Sequence, residues 1–506
     1  MTRTLHAHSS ADVLAAVAEE LDRGGRRDRL LRKAAGGLAF ILADYLVDHC
    51  GSAYGRHVTL LVGSGHNGAD ALLAGIQLRR RGIKVDAVLT ASTAYEPGVS
   101  RLEAAGGQII SADTAEALES LSRADLVVDG IVGENGRGGL RGRTAELVSA
   151  IPPEVPVVAV DLPSGVEPDS GEIRGIHVRA SLTVTFAAPK PCLLLPPGCH
   201  AAGDLRLVDE GLPTVSGTPR VRRLGDRDVA ALWPIPERTA HKYLRGVLGV
   251  VAGADRYPGA AVLAMLGAVK SGAAGITRYI GPEAVTAQVL SAVPEAVPGI
   301  GQVQAWLLGS GVDNDEDQDK AIDTALRSGL PCAVDAGALK ACVRRRLDGE
   351  RAADAGKILL TPHAGELARI LGWMGQRVDR SDIESRPMYY GRIVARELDA
   401  TVLVKGPTTI IVGPEGVIAS QAEAPPWLAT AGAGDVLAGI AGALMASGLE
   451  ALDAGEVAAF VHGRAAMRAH IDNDNGPITA SEVAAAVPAT IGKVLGAARF
   501  RRSVST

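Results

Sequence analysis

The chain has 506 residues, 47% of them apolar and 22% charged, with a formal net charge of −5. That length exceeds one ordinary core and predicts two domains. So mild an acidic balance gives no support for nucleic-acid or membrane-surface binding. Cys50, Cys192, Cys199, Cys332 and Cys342 are odd in number and lack CxxC spacing, which fits reduced thiols rather than a disulfide framework or zinc site. No apolar signal core opens the chain and no apolar run reaches about 18 residues, so the cytoplasm is the expected compartment.

In chain order, amphipathic helices are predicted over residues 11–21 and 29–46. A β-rich run at 57–62 leads into GSGHNGAD and a helix over 69–81. Further strands are predicted at 84–90, 126–129, 155–160 and 182–186. Strands alternating with helices in this way predict an α/β fold, here a Rossmann-like three-layer sandwich with a parallel sheet.

Gly63, Gly65 and Gly68 match GxGxxG after a strand, with Asp86 at a fitting interval. A lone GxGxxG is a weak signal for a hydride-transfer enzyme. The polar pair Asn67 and Asp70 is also unusual in a plain pyrophosphate turn. Three turns after strand ends should converge at the carboxyl edge of such a sheet: GSGHNGAD, DGIVGENGRGG from Asp129, and VDLPSG from Val160. Asn67, Asp129 and Ser164 in these turns are hard oxygen donors, suited to an alkali or alkaline-earth cation. Singly, each reads as a cap or a turn residue.

Together the three turns resemble the NAD(P)H-hydrate epimerase domain over most of residues 10–215. The resemblance implies that Asn67, Asp129 and Ser164 bind potassium. It implies that His66, Asn67, Gly68, Ala69 and Asp70, with Gly133, Glu134, Asn135, Gly136, Arg137, Gly138 and Gly139, hold the substrate. Asp161 would work at the reacting ring, with Arg137 assisting proton transfer. The family usually reads NNGGDG where this chain reads HNGADA; Ala69 puts a methyl where backbone normally passes close to substrate.

Residues 211–225 carry Gly, Pro and Ser with three arginines and no period, and read as a connection. The expected division is 1–213, a linker at 214–225, and 226–506. Beyond the linker, short apolar runs at 248–252, 306–308, 332–334, 358–360, 401–404 and 409–412 alternate with helical stretches, predicting a second α/β unit.

Near the C-terminus, TAGAGD at 430–435 precedes a long apolar helical run. A helix start leaves backbone N–H groups unpaired and carries partial positive charge, so a glycine-rich turn there attracts phosphate. Asp435 is expected to be kept ionised by that dipole, as a general base for a substrate hydroxyl. The plainer reading is a glycine-rich N-cap with a capping acid. His363 and Glu366 in TPHAGE lie three apart at a predicted helix start, where a histidine is more often a cap than a catalyst. Lys405-Gly406-Pro407-Thr408-Thr409 reads either as a charged hairpin or as a phosphate-facing turn.

TAGAGD with its helix resembles the anion hole of the ribokinase-like superfamily. With GADRYPGAAVLA, LGSGVDN, LTPHAGELARI and LVKGPTTII it resembles the nucleotide-dependent NAD(P)H-hydrate dehydratases over most of residues 225–495. The resemblance implies that Ala260, Gly311, His363 and Asp435 contact substrate. Lys405, Gly406, Pro407, Thr408, Thr409 and Gly434 would hold ADP or ATP, with Mg2+ accompanying the nucleotide. Relatives usually read VDADAL where this chain has VDAGAL, so Asp335 is left out of the expected catalytic set.

The expected substrates are NADH and NADPH hydrates and an adenine nucleotide, with no nucleic acid or membrane partner and assembly as a homo-oligomer. Two rival readings stand beside this one. The first is a ribokinase-like vitamin or sugar kinase releasing a stable phosphate ester. The second makes residues 1–215 a non-catalytic binding module.

Overall fold

The computed structural model describes residues 4–22, 27–134, 136–209, 215, 217–313, 315–350 and 357–502. Asn135 and two positions of the expected linker, 214 and 216, lie outside the described residues. The chain divides into two compact units, His6–Val221 and Arg222–Thr506, the latter joined by the residues up to Leu5. The division therefore falls inside the interval 214–225.

In the first unit, seven strands form one parallel sheet. Its order is Gln108–Ser111, Lys84–Leu89, His57–Val62, Leu126–Gly130, Val157–Val160, Leu182–Phe186 and Asp204–Val208. The outermost strands, Gln108–Ser111 and Asp204–Val208, are absent from the sequence-based expectation. Both are largely exposed edge strands without a continuous apolar run. The inner strands are buried on both faces, and their sequences are rich in Val and Leu without regular polar alternation. The chain reverses direction across the sheet between His57–Val62 and Leu126–Gly130. That switch point opens a crevice at the carboxyl ends of the strands.

The second unit is built on a sheet whose parallel part runs Val297–Pro298, Ile276–Ile280, Val247–Val251, Ala305–Leu308, Cys332–Val334, Ile358–Leu360 and Thr401–Val404. Thr409–Val412 and Ile418–Gln421 extend it antiparallel. Its core centres on the helix Ala433–Ala446, almost wholly buried, which packs on the helix Pro258–Ser271. Glycine makes that contact. A Cβ at Gly267 would stand 2.3 Å from the Val436 carbonyl oxygen, and one at Gly439 would stand 2.1 Å from that of Ala264. The two helices meet backbone to backbone, and no side chain fits between them.

Candidate active sites

In the second unit, the helix carrying TAGAGD starts at Ala433, so Ala433 and Gly434 belong to its first turn rather than to a preceding loop. Gly432 is the N-cap at φ +84°, a conformation that favours glycine. Asp435 is the third helical residue and half-buried, facing a polar cluster rather than the apolar interior.

Strand ends supply that cluster. Asp335, at the end of Cys332–Val334, is buried. Its Oδ1 accepts from Thr361 Oγ1 at 2.9 Å and Lys405 Nζ at 2.8 Å, and its Oδ2 accepts from Ser310 Oγ at 3.1 Å. Lys405 Nζ also lies 3.6 Å from the buried Glu366. A Cβ at Gly434 would stand 3.3 Å from the same ammonium, so Lys405 faces the phosphate turn. The acids beside it hold the Lys405 ammonium above its ordinary range despite burial.

Asp435 departs from expectation. Burial, and then the charge of Asp335, push its carboxyl up to about 7, while Lys405 and the Ser310 hydroxyl pull it back. The helix end alone does not keep it ionised, because desolvation and a neighbouring acid outweigh it. Asp335, absent from the expected catalytic set, gathers partners from three different strand ends. Gly337, two residues after Asp335, packs against Val312. A Cβ there would stand 2.6 Å from the Val312 carbonyl oxygen.

His363 is the N-cap of the helix Ala364–Trp373. Its Nδ1 accepts from the Gly365 and Glu366 N–H groups at 3.0 and 3.3 Å, and the Glu366 carboxylate accepts from the His363 N–H at 2.9 Å. Its ring is half-exposed, and burial lowers its pKa from the ordinary histidine value. Gly311, at φ +67°, sits against Ala260, and a Cβ there would stand 2.5 Å from the Ala260 methyl. On the Lys405–Thr409 turn, Gly406 and Pro407 are exposed, Thr408 is buried, and Thr409 opens a strand.

In the first unit, the three turns converge at the switch point. Their glycines permit it: a Cβ at Gly63 would stand 1.8 Å from the Ile131 oxygen, one at Gly68 2.1 Å from the Gly63 oxygen, and one at Gly133 2.6 Å from Asn67 Oδ1. Asp129 is wholly buried. It accepts from the Ser164 hydroxyl at 2.6 Å, the Ser164 N–H at 2.8 Å and the Ile131 N–H at 3.2 Å. Burial raises its carboxyl to about 6, and among the described residues no basic side chain pairs with it. Asn67 Nδ2 donates to the Val160 carbonyl at 2.5 Å, which turns its amide oxygen toward Gly133. These are hard oxygen donors around a buried acid, a set that fits an alkali cation.

Beside them lies a cavity of about 320 Å³, lined by His66, Asn67, Ala69, Asp70, Glu134, Asp161 and Lys190 together with apolar residues of the first two helices. Asp161 is held at φ +69°, in the left-handed region. Its Oδ1 accepts from Thr185 Oγ1 at 2.9 Å and from Lys190 Nζ at 2.5 Å, all three residues being buried. Glu134 faces the same groups, and burial raises it to about 7. Arg137, the expected assistant to Asp161, is placed otherwise. Its guanidinium is exposed, donates to the Glu134 and Gly136 carbonyls and pairs with Glu167. The cation at Asp161 is Lys190, which the sequence does not flag because it stands 29 residues downstream in a proline-rich turn without a motif. Gly136, Gly138 and Gly139 continue the turn, Gly139 lying against Gly175.

Comparison with known proteins matches both units. A family described as NAD(P)H-hydrate dehydratase matches residues 248–488, and one described as YjeF-related protein N-terminus matches residues 27–192. The chain is 40% identical over 463 residues to a bifunctional NAD(P)H-hydrate repair enzyme of Mycobacterium leprae, covering 89% of this chain and 92% of that one. It is 32% identical to a repair enzyme of the same description from Moorella thermoacetica, covering 82% and 83%. Among solved structures, an ADP/ATP-dependent NAD(P)H-hydrate dehydratase from Bacillus subtilis, co-crystallised with ATP and Mg2+, is 25% identical. It aligns with 54% of this chain and 98% of its own at a TM-score of 0.46.

Proposed function

The chain belongs to the bifunctional NAD(P)H-hydrate repair enzymes, and from that premise we propose which of its residues carry the two reactions. The protein is an isomerase and a lyase. One unit interconverts R- and S-NAD(P)H hydrate, and the other dehydrates the S form to NAD(P)H with ADP or ATP.

In the dehydratase unit, a phosphoryl group moves from the nucleotide's terminal phosphate to the hydroxyl oxygen of the hydrated ring. Asp435 takes the hydroxyl proton, and its carboxyl at about 7 is matched to proton transfer near neutral pH. Lys405, fixed between Asp335 and Glu366, and the first N–H groups of the helix Ala433–Ala446 stabilise charge on the transferring group. Loss of phosphate from the ring carbon that bears it and of a proton from the neighbouring ring carbon then restores the ring double bond. Lys405 to Thr409 and Gly434 hold the nucleotide; Ala260, Gly311 and His363 line the substrate side. Mg2+ would arrive on the nucleotide's phosphate oxygens.

In the epimerase unit, Asp161 works at the ring carbon whose configuration inverts, with Lys190 setting its position and Glu134 as a second titrating group. Asn67, Asp129 and Ser164 would hold potassium, whose charge would compensate the buried Asp129. We place the protein in the cytoplasm as a homo-oligomer, for which sedimentation is the check.

One observation carries this reading: a catalytic-type acid beside a lysine at a glycine-capped helix start, in a chain whose other half matches the partner family. Purified protein incubated with NADH hydrate and ADP, ATP or no nucleotide should regenerate nicotinamide absorbance only with nucleotide. A stable phosphorylated hydrate accumulating in its place would make the protein a kinase.

A further inference from the structure

The cavity at Asp161 shares Leu31 and Tyr95 with a second and larger groove of about 550 Å³ on the same unit. Arg32, Arg80, Arg81 and Arg101 line it. An adjoining recess shares Arg80 and Arg101 and adds Arg79. None of the residues lining either wall carries a carboxylate. Two of the arginines are tied down by backbone: Arg79 donates to the Ala105 and Ile83 carbonyls, and Arg81 to that of Ala39. Arg80 and Arg101 make no ion pair among the described residues.

Guanidinium groups crowded into one groove repel one another, and the field they focus favours a multiply charged anion. Planar forks of this kind match phosphate oxygens. The groove follows the helix His66–Arg80. Asp70 on that helix lines the ring cavity, and Arg80 lies ten residues further on, a rise of about 15 Å at 1.5 Å per residue. The arginines thus stand remote from the ring, where the far ribose of a dinucleotide would lie.

We propose that this groove binds the adenosine 2′-phosphate of the substrate, so that the N-terminal unit prefers NADPH hydrate to NADH hydrate. The inference rests on the epimerase reading of the Asp161 cavity and adds its specificity. Arg80 and Arg101 touch phosphate in it and take no part in the chemistry at Asp161.

The test is the double variant Arg80→Gln/Arg101→Gln, which keeps two exposed stems and removes both charges. Epimerisation of chirally resolved NADPH and NADH hydrates is compared with wild type. In parallel, calorimetry follows binding of adenosine 2′,5′-bisphosphate and of adenosine 5′-monophosphate. The variant should raise KM for NADPH hydrate by about tenfold with kcat unchanged, leave NADH hydrate unaffected, and weaken the bisphosphate selectively. An equal rise for both hydrates would assign the arginines to the diphosphate and overturn the 2′-phosphate specificity. No change in any arm would remove the groove as a ligand site. Wild-type protein that binds the bisphosphate through these arginines yet fails to epimerise would defeat the epimerase reading and leave the phosphate site standing.

Discussion

Lys190 Nζ meets Asp161 Oδ1 at 2.5 Å inside the N-terminal unit, with both side chains almost fully out of water. A buried pair of this kind holds the Asp161 carboxylate in one orientation, here on a residue already at φ +69°. Removing one partner leaves the other buried and uncompensated. Lys190→Met and Asp161→Leu should each destabilise the unit by about 3–5 kcal/mol. The double variant should recover part of that loss. Thermal unfolding of the three variants measures it, and additive losses would argue against the pairing. The single variants should also lose epimerisation, while nucleotide-dependent dehydration of the S hydrate persists.

As the proposed base, Asp435 should give the dehydratase a rising pH dependence. Its carboxyl ordinarily titrates at 3.8 and is raised to about 7 in the fold. A base must be unprotonated, so kcat/KM should climb with pH to about 7 and level off above. Asp435→Asn should reduce turnover by about 10²–10⁴-fold. A raised carboxyl weakens the fold once it ionises, so Asp435→Asn should be more stable than wild type above pH 7, with the gain fading as pH falls from about 7 to about 4. Melting temperatures across that range test this. Lys405→Met removes a charge that holds Asp435 down, so any residual activity should show its rising limb at higher pH.

The capping geometry of His363 separates two roles. His363→Ala should cost about 1 kcal/mol by removing the acceptor for two N–H groups, and His363→Asn should restore most of it, because Asn caps well. If the ring also touches the hydrated nicotinamide, KM for the hydrate rises in both variants. Stability and KM recovering together in His363→Asn would reduce the residue to its cap.

Cation dependence should belong to one reaction only. Replacing potassium by a bulky organic cation should slow epimerisation and leave S-hydrate dehydration unchanged. Asp129→Asn should weaken that dependence, since it removes the only charge in the donor set. A dehydratase that loses activity in step with the epimerase would refute this assignment.

Much of this is legible in the sequence where a buried strand runs straight into a glycine-containing polar turn, as at Val62 with GSGHNGAD or Gly130 with IVGENG. The apolar run, the glycine and the oxygen donor are all local signals. Lys190 is not legible, because its partner lies across the sheet and nothing near it in sequence marks the pairing. Asp335 is easily discounted for one absent neighbour at 337, although its contacts reach it through space from Ser310, Thr361 and Lys405. The raised pKa of Asp435 escapes a sequence reading because a helix start is visible there and desolvation is not. The arginines at 79–81 look like an ordinary charged helix end until Arg32 and Arg101 are brought beside them.

The glycines at 267 and 439 carry a consequence for heredity as well as for packing. Asp435, the proposed base, directly precedes Val436, whose carbonyl oxygen lies against Gly267 of the neighbouring helix with no room for a Cβ. A methyl gained at either position should force the helices apart and shift the helix start that carries Asp435, a change that touches neither nicotinamide nor nucleotide. Variants of this enzyme that accumulate damaged cofactor are therefore to be sought at silent-looking alanine replacements in its interior as much as in its clefts.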